Sequence, residues 1–241
     1  MSDLPGEDRL ARAMDVTWAP AETIEVGQWT LRCGKGGGKR VSAATTDSPV
    51  SDESIKTAES AMLDVGQPAL FMLRNHNADL DKRLADLGYR VVDPVLIFAA
   101  PIDVVARIDP KPLTAIPGEQ PLAIMCEIWA RGGIGPARID VMERTIGPKT
   151  YLFSRHDVDK PGGCAFVALD DEIAMLHALE VVPDARRSGV ARNLLGRAAI
   201  WGMENGAKFI SVVTTGGNLP AQKLFSSLGM QVVGKYHYRM K

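Results

Sequence analysis

No stretch of this chain constrains its fold more than LEVVPDARRSGVARNLL, residues 179–195. Its first residues read as a strand that stops at Pro183. From Gly189 to about Glu204 the apolar residues Val190, Ala191, Leu194, Leu195, Ala198, Ala199 and Trp201 recur at i, i+3 and i+4, which predicts an amphipathic helix closed by Asn205-Gly206. A strand that runs through a short loop into a helix start is a building unit of an α/β chain. It is also an anion site, because a helix start offers unpaired N–H groups and the positive end of the dipole. The loop reads Arg186-x-x-Gly189-x-Ala191. Gly189 and Ala191 leave the backbone open to close approach, and Arg186, Arg187 and Arg192 supply charge. Taken alone, the same letters also describe an ordinary exposed helix start with basic residues.

The flanking segments extend the pattern. Leu122–Arg131 and Pro136–Thr145 have helical spacing. Thr150–Ser154 and Cys164–Leu169 read as strands around a turn at Lys160–Gly163, and Ile173–Val182 is a longer extended run. Phe209–Thr215 is a strand, and Asn218 caps a helix with Pro220 in its first turn that ends at Gly229. Met230–Met240 is a strand pair or one long strand. Before residue 101, Glu22–Cys33 and Val41–Thr45 alternate like strands, Glu53–Val65 and Asn77–Leu87 like helices, and Ala69–Leu73 and Tyr89–Ala99 like strands. NADLDKRLADLG, residues 77–88, aligns without gaps on NLPAQKLFSSLG, residues 218–229, and Val91-Val92 then matches Val232-Val233. Two unrelated capped helices would share some of these letters. The matching strand order around both favours a diverged internal duplication. Pro101, Pro110, Pro112, Pro117 and Pro121 break any long element between the halves, giving an expected division into residues 1–105, a linker at 106–120, and 121–241.

Composition excludes several partners. Against 28 basic residues stand 29 acidic ones, for a net charge of −1, so nothing favours nucleic acid or an anionic membrane surface. Apolar runs such as Val95–Pro101 are too short to span a bilayer, and the charged start MSDLPGEDRLARAMD has no apolar core of a signal peptide. A cytoplasmic location is the expectation. Cys33, Cys126 and Cys164 are odd in number and widely spaced, which argues against a disulfide framework and a zinc site.

The pattern R-x-x-G-x-A after a strand ending in V-x-P resembles the acetyl-CoA loop of GNAT acetyltransferases. About thirty residues on, Asn218…Ala221…Leu224-Phe225…Leu228-Gly229 resembles the family's N-x-x-A-x-x-L-Y-x-x-x-G-F segment. Dinucleotide and P-loop signatures do not fit the glycines here; Gly34-Lys35-Gly36-Gly37-Gly38-Lys39 has Cys33 in the first-glycine place and Arg40 where Ser/Thr belongs, and reads better as a turn. The resemblance implies an α/β (α+β) fold with a mixed, mostly antiparallel central sheet flanked by helices, preceded by a smaller degenerate GNAT-like half that lacks a cofactor loop. It implies acetyl-CoA as co-substrate and no metal. Leu179 to Val181 would pair with the pantetheine arm, Arg186, Arg187, Ser188, Gly189, Val190 and Ala191 would hold the pyrophosphate, and Asn218 and Phe225 would border the thiol end.

Acyl transfer from a thioester needs a neutral amine, a polarised carbonyl and a departing thiolate. His177 is the first candidate base, because LHALEV is similar to the corresponding strand of serotonin N-acetyltransferase; its other reading is a packed, hydrogen-bonded histidine. Glu180 is the second. Phe225 stands where the family carries the tyrosine that protonates the thiolate, so Tyr236 or Tyr238 substitutes, the thiolate leaves unprotonated, or the site binds acetyl-CoA but acetylates slowly; the other reading of both tyrosines is as interface or sheet aromatics. The implied acceptor is a small primary amine, with a homodimer left open. A protein lysine or N-terminus is an alternative acceptor, and an acyl-CoA-binding sensor or scaffold an alternative role.

Overall fold

The computed structural model describes residues 4–74, 76–108, 110, 113–157 and 160–241. Met1, Ser2 and Asp3 of the charged start, and Pro112 of the proline series, lie outside the described residues. Eight strands form one sheet in the order β3-β10-β4-β9-β8-β7-β6-β5, made of β3 (Leu70–Arg74), β4 (Arg90–Pro101), β5 (Ala115–Gly118), β6 (Lys149–Asp157), β7 (Lys160–Asp170), β8 (Ile173–Val181), β9 (Phe209–Thr215) and β10 (Gln231–Met240). All neighbours are antiparallel except β8 and β9. A separate hairpin of β1 (Glu22–Val26) and β2 (Trp29–Cys33) turns at Gly27-Gln28.

The helices are α1 (Glu7–Thr17), α2 (Asp52–Asp64), α3 (Ala78–Asp86), α4 (Ile102–Ala106), α5 (Ala123–Arg131), α6 (Pro136–Arg144), α7 (Val190–Glu204) and α8 (Leu219–Ser227). Strand alternation separates the two faces of the sheet. Ala174, Leu176, Ile210, Val212 and Phe98 pack with α4, α7 and α8. Their neighbours in sequence, Ile173, Met175, Phe209, Ile97 and Ala99, pack with α1. Farther along this second face, Cys164, Phe166 and Ala168 pack with α5, α6 and Trp18. Hairpin, α2 and α3 close a fourth cluster around Trp29, Phe71 and Tyr89.

The two aligned segments occupy equivalent places. Asn77 and Asn218 sit at the N-caps of α3 and α8, Leu87 and Leu228 at their C-caps, and Gly88 and Gly229 follow with φ of 86° and 81°. Each helix joins two strands that are not neighbours. β10 lies between β3 and β4, and β4 lies between β10 and β9, so the units β3–α3–β4 and β9–α8–β10 interleave their second strands. Strands from both sides of residues 106–120 thus share one sheet.

Several expectations need correction. Glu22–Cys33 is a hairpin rather than one strand, and Val41–Thr45 enters from a 3₁₀ turn at Lys39–Val41 and pairs only through bridges at Ala44 and Thr45. Of the two readings of Met230–Met240 the single long strand is the one observed, irregular between Val232 and Gly234 and between Tyr236 and Tyr238. Lys160–Gly163 is not a turn but the start of β7. Its glycines serve close packing: a Cβ on Gly163 would come within 2.4 Å of the Glu180 carbonyl oxygen and 3.1 Å of Val190 Cγ1. That seats the first turn of α7 directly on β7 and β8. Helix α1 was not anticipated, although Leu10, Ala13, Met14 and Thr17 keep helical spacing and are buried.

Gly163→Val should therefore lower the unfolding free energy by about 1–3 kcal/mol, the usual cost of overpacking. Gly217→Ala, with nothing within 4 Å of its new Cβ, should stay within about 0.5 kcal/mol. Denaturant titration of both variants decides; equal midpoints would reject the packing role of Gly163.

Candidate active site

Parallel pairing of β8 with β9 runs from Ile173↔Phe209 to Leu176↔Val212 and stops there. Beyond that point the strands part, and the cause is visible in β8. His177 pairs with Phe166 and Glu180 with Cys164, so Ala178 and Leu179 stand opposite the single residue Ala165. This is a bulge, with Ala178 at a φ of 50° and its carbonyl accepting the Trp129 indole N–H at 2.8 Å. An alanine in the left-handed region is held there against its own preference.

A cavity of about 540 Å³ fills the gap. Leu176, Leu179, Val212, Asn218, Ala221 and Phe225 border it together with His177, Ala178, Tyr236, Tyr238, Trp18 and Arg40. Phe225 and Leu176 belong to the α7–α8 face, whereas Tyr236, Tyr238 and Trp18 belong to the α1 and α5 face. The cavity thus reaches residues of both faces through the parted strands. Gly37, Gly38, Lys39, Asp93 and Val95 join the lining from the N-terminal part, Gly132 and Ile134 from the α5–α6 connection, and Arg138 from the first turn of α6.

The loop into α7 ends in an exposed helix start. Pro183–Ala185 make a 3₁₀ turn, Arg187 has a φ of 64° and Gly189 a φ of 90°, and the Ser188 hydroxyl donates to the Ala185 carbonyl at 2.6 Å. Gly189 is the N-cap, and no side chain caps the first turn of this 15-residue helix. Ser188 and Gly189 are exposed, Ala191 is half-buried, and the Val190 side chain is buried in the core. Ser188, Gly189, Val190 and Arg192 border a second hollow of about 620 Å³ with Arg107, Arg155 and His156. Arg187 is exposed. Arg186 folds back instead: its Nε donates to the Val181 carbonyl at 3.3 Å and its Nη2 lies 3.8 Å from Glu180 Oε1.

His177 is 4% exposed and both ring nitrogens are occupied. The Thr17 hydroxyl donates to the Ala13 carbonyl, so at 2.8 Å it accepts from His177 Nε2–H; Nδ1 is then the acceptor for Arg40 Nη1 at 3.2 Å. Burial, reinforced by the Arg40 charge, holds the imidazole pKa well below its ordinary value. This is the packed, hydrogen-bonded histidine of the two readings, with no lone pair free for an incoming ammonium. Glu180 does not border the cavity, but its carboxyl lies against Gly132, which does. Burial raises its pKa, against the opposing pull of Arg186 and the Val181 N–H.

Phe225 is buried against Phe98, with ring centroids 5.4 Å apart. Asn218 Oδ1 accepts from the Ala221 N–H at 3.3 Å and caps α8. Tyr236 and Tyr238 stand edge to face at 5.6 Å, and burial first, then Tyr236, pushes the Tyr238 phenol well above its ordinary pKa. Opposite them β4 also bulges, pairing Val95 with Tyr236 and Val92 with Tyr238, with Asp93 at a φ of 45°. Sequence reading missed Thr17, Trp18, Arg40, Asp93 and Arg138. Arg40 closes the Gly34–Lys39 run that was read as a turn. That run is indeed a turn, and it also borders the cavity: a Cβ on Gly37 would meet Val141 Cγ2 at 2.5 Å, and one on Gly38 would meet the Arg138 guanidinium at 3.2 Å.

Residues 129–230 match the model of the acetyltransferase (GNAT) family. Over its whole length the chain is 26% identical to the whole of a Bacillus subtilis (strain 168) protein called uncharacterized N-acetyltransferase YobR. A GCN5-related N-acetyltransferase from Kribbella flavida superposes with a TM-score of 0.73 at 15% identity, covering 99% of this chain and 96% of that one. A tandem GNAT protein from the clavulanic acid biosynthesis pathway superposes with a TM-score of 0.64 at 10% identity, covering 97% and 86%. These two structures share the fold.

The buried histidine generates a pH prediction. Its folded pKa lies below the unfolded value of 6.5, so the unfolded chain takes up the proton first. Its share of stability is present above pH 6.5 and lost as pH falls from there towards the folded pKa, by at most about 1.4 kcal/mol per pH unit. His177→Gln, which does not titrate, should show a flatter decline in stability between pH 6.5 and 5 than wild type. Parallel declines would mean that the ring is not held neutral.

Proposed function

We propose, since residues 129–230 match the model of the acetyltransferase (GNAT) family, that the chain is an acetyl-CoA-dependent acyltransferase that moves an acetyl group to the primary amine of a small metabolite. One observation carries the reading: β8 and β9 part beside a helix start whose amides no side chain caps. The residues fit the co-substrate. The N–H groups at the start of α7 suit the pyrophosphate, and Gly189 keeps them accessible. The edge of β8 that β9 abandons suits the amide groups of pantetheine, as a sheet edge suits an extended peptide. A cavity of about 540 Å³ is in the range of small-molecule sites. Residues 1–105 are read as a degenerate GNAT-like repeat that shapes the acceptor end, 106–120 as a linker and 121–241 as the acetyltransferase domain.

Direct attack forms the bond between amine nitrogen and acetyl carbon while the carbon–sulfur bond breaks. The acceptor must first lose an ammonium proton. His177 is committed to Thr17 and Arg40, so this role falls to Glu180, acting across Gly132 through a water. Its raised pKa makes it a stronger proton acceptor than an ordinary carboxylate. Phe225 has no hydroxyl to give the departing thiolate. Tyr238, a phenol kept protonated by burial, gives its proton to the sulfur as the carbon–sulfur bond breaks and recovers one from the nitrogen, which sheds its second proton on becoming the amide, with Tyr236 beside it. His177 is then a positioning residue that fixes Arg40.

Gly189→Glu should weaken acetyl-CoA binding by about a hundredfold or more, roughly 2.7 kcal/mol, because a carboxylate would repel the phosphates; calorimetry that finds unchanged affinity would reject the loop's role. Glu180→Gln should lower kcat by about a hundredfold and flatten the acid limb of the pH profile. In the native enzyme the carboxylate is the active form, so the rate should climb with pH through a pKa above the ordinary 4.5. An unchanged profile would leave the proton to another group.

A further inference from the structure

The cavity holds more positive charge than the protein itself neutralises. Arg40 borders it, lies 5.9 Å above the Trp18 ring and bonds His177 Nδ1, and its Nε is buried without an acceptor. Tyr236 also hydrogen-bonds it. Two nearby carboxylates are engaged elsewhere. Asp15 lies 2.9 Å from Arg32 and 3.7 Å from Arg74, and Asp93 lies 2.8 Å from Lys39. Arg138, which also borders the cavity, has only the Gly133 carbonyl at 3.5 Å. Among the described residues neither Arg40 nor Arg138 has a carboxylate within ion-pair distance.

Such an arrangement is costly for the protein alone. A guanidinium does not lose its proton, and the half-buried Arg40 keeps its charge with a buried Nε that has no acceptor. It also opposes the stated reaction, because a cation at the acceptor end repels an incoming ammonium. Both difficulties vanish if the acceptor carries its own negative charge. A guanidinium fork suits a carboxylate. Arg40 comes with Trp18 and His177 on the α1 face, opposite the face that carries Phe225 and α8. A charge there would bind the far end of the acceptor rather than the thioester.

We propose that the acceptor is a small zwitterion, an amine that also carries a carboxylate, and that Arg40, assisted by Arg138, is the residue that selects it. The inference rests on the transferase reading above and adds the acceptor's class to it.

The test uses products rather than turnover. N-acetyl-α-amino acids and their uncharged amides are titrated calorimetrically into full-length protein saturated with coenzyme A. The acids should bind about tenfold tighter or more, as expected for a charged hydrogen bond. Arg40→Gln should erase that preference while leaving coenzyme A affinity unchanged, and Arg138→Gln should reduce it. Unfolding curves confirm that the variants are folded, and the wild-type comparison of acid with amide stands without any variant. Amides that bind as well as acids, or a preference that survives Arg40→Gln, would overturn the inference and leave the transferase reading intact. Failure of coenzyme A itself to bind would instead sink the transferase reading.

Discussion

The parting of β8 from β9 after Leu176 and Val212 governs everything distinctive in this molecule. Where two parallel strands separate, each loses its partner, and both edges need another acceptor and donor. The bulge at Ala178 fixes the point of separation by setting two residues of β8 against one of β7. Trp129 then locks it from the α5 side through the Ala178 carbonyl. The same divergence lets one cavity collect side chains from both faces of the sheet. A donor and an acceptor approaching from opposite sides would meet without crossing each other's path, as a ternary mechanism requires.

The site is shared unequally between the two halves. Helix α7 and its loop, with α8, belong to the C-terminal part, and among the described residues nothing in the N-terminal part offers a comparable helix start beside a parted strand pair. The N-terminal part contributes Thr17, Trp18, Arg40, Asp93 and Val95 instead. The N-terminal part thus forms one wall of the cavity. Its glycine run packs against α6 and carries Arg40 in beside His177.

Legibility in the sequence followed locality. The α7 loop and the caps of α3 and α8 were readable because their signals lie within a dozen residues and depend on backbone rules: Asn218 at a cap, Gly189 at a φ of 90°, Gly229 at a φ of 81°. Gly162 and Gly163 were misread because a glycine needed for close packing looks the same as one needed for a turn; only the position of Val190 tells them apart. The state of His177 depends on Thr17 and Arg40, more than a hundred residues away. No local pattern reports such a contact. Helix α1 is the exception, since its apolar spacing was there to be read.

The order β3-β10-β4-β9 also bears on how the molecule comes into being. During synthesis β3 and β4 leave the ribosome long before β10, yet each must pair with it. Until then both present unsatisfied backbone edges, which are open to other chains. Once β10 slides between them the halves cannot separate without tearing the sheet, so unfolding should run as one event and neither half should survive proteolysis alone.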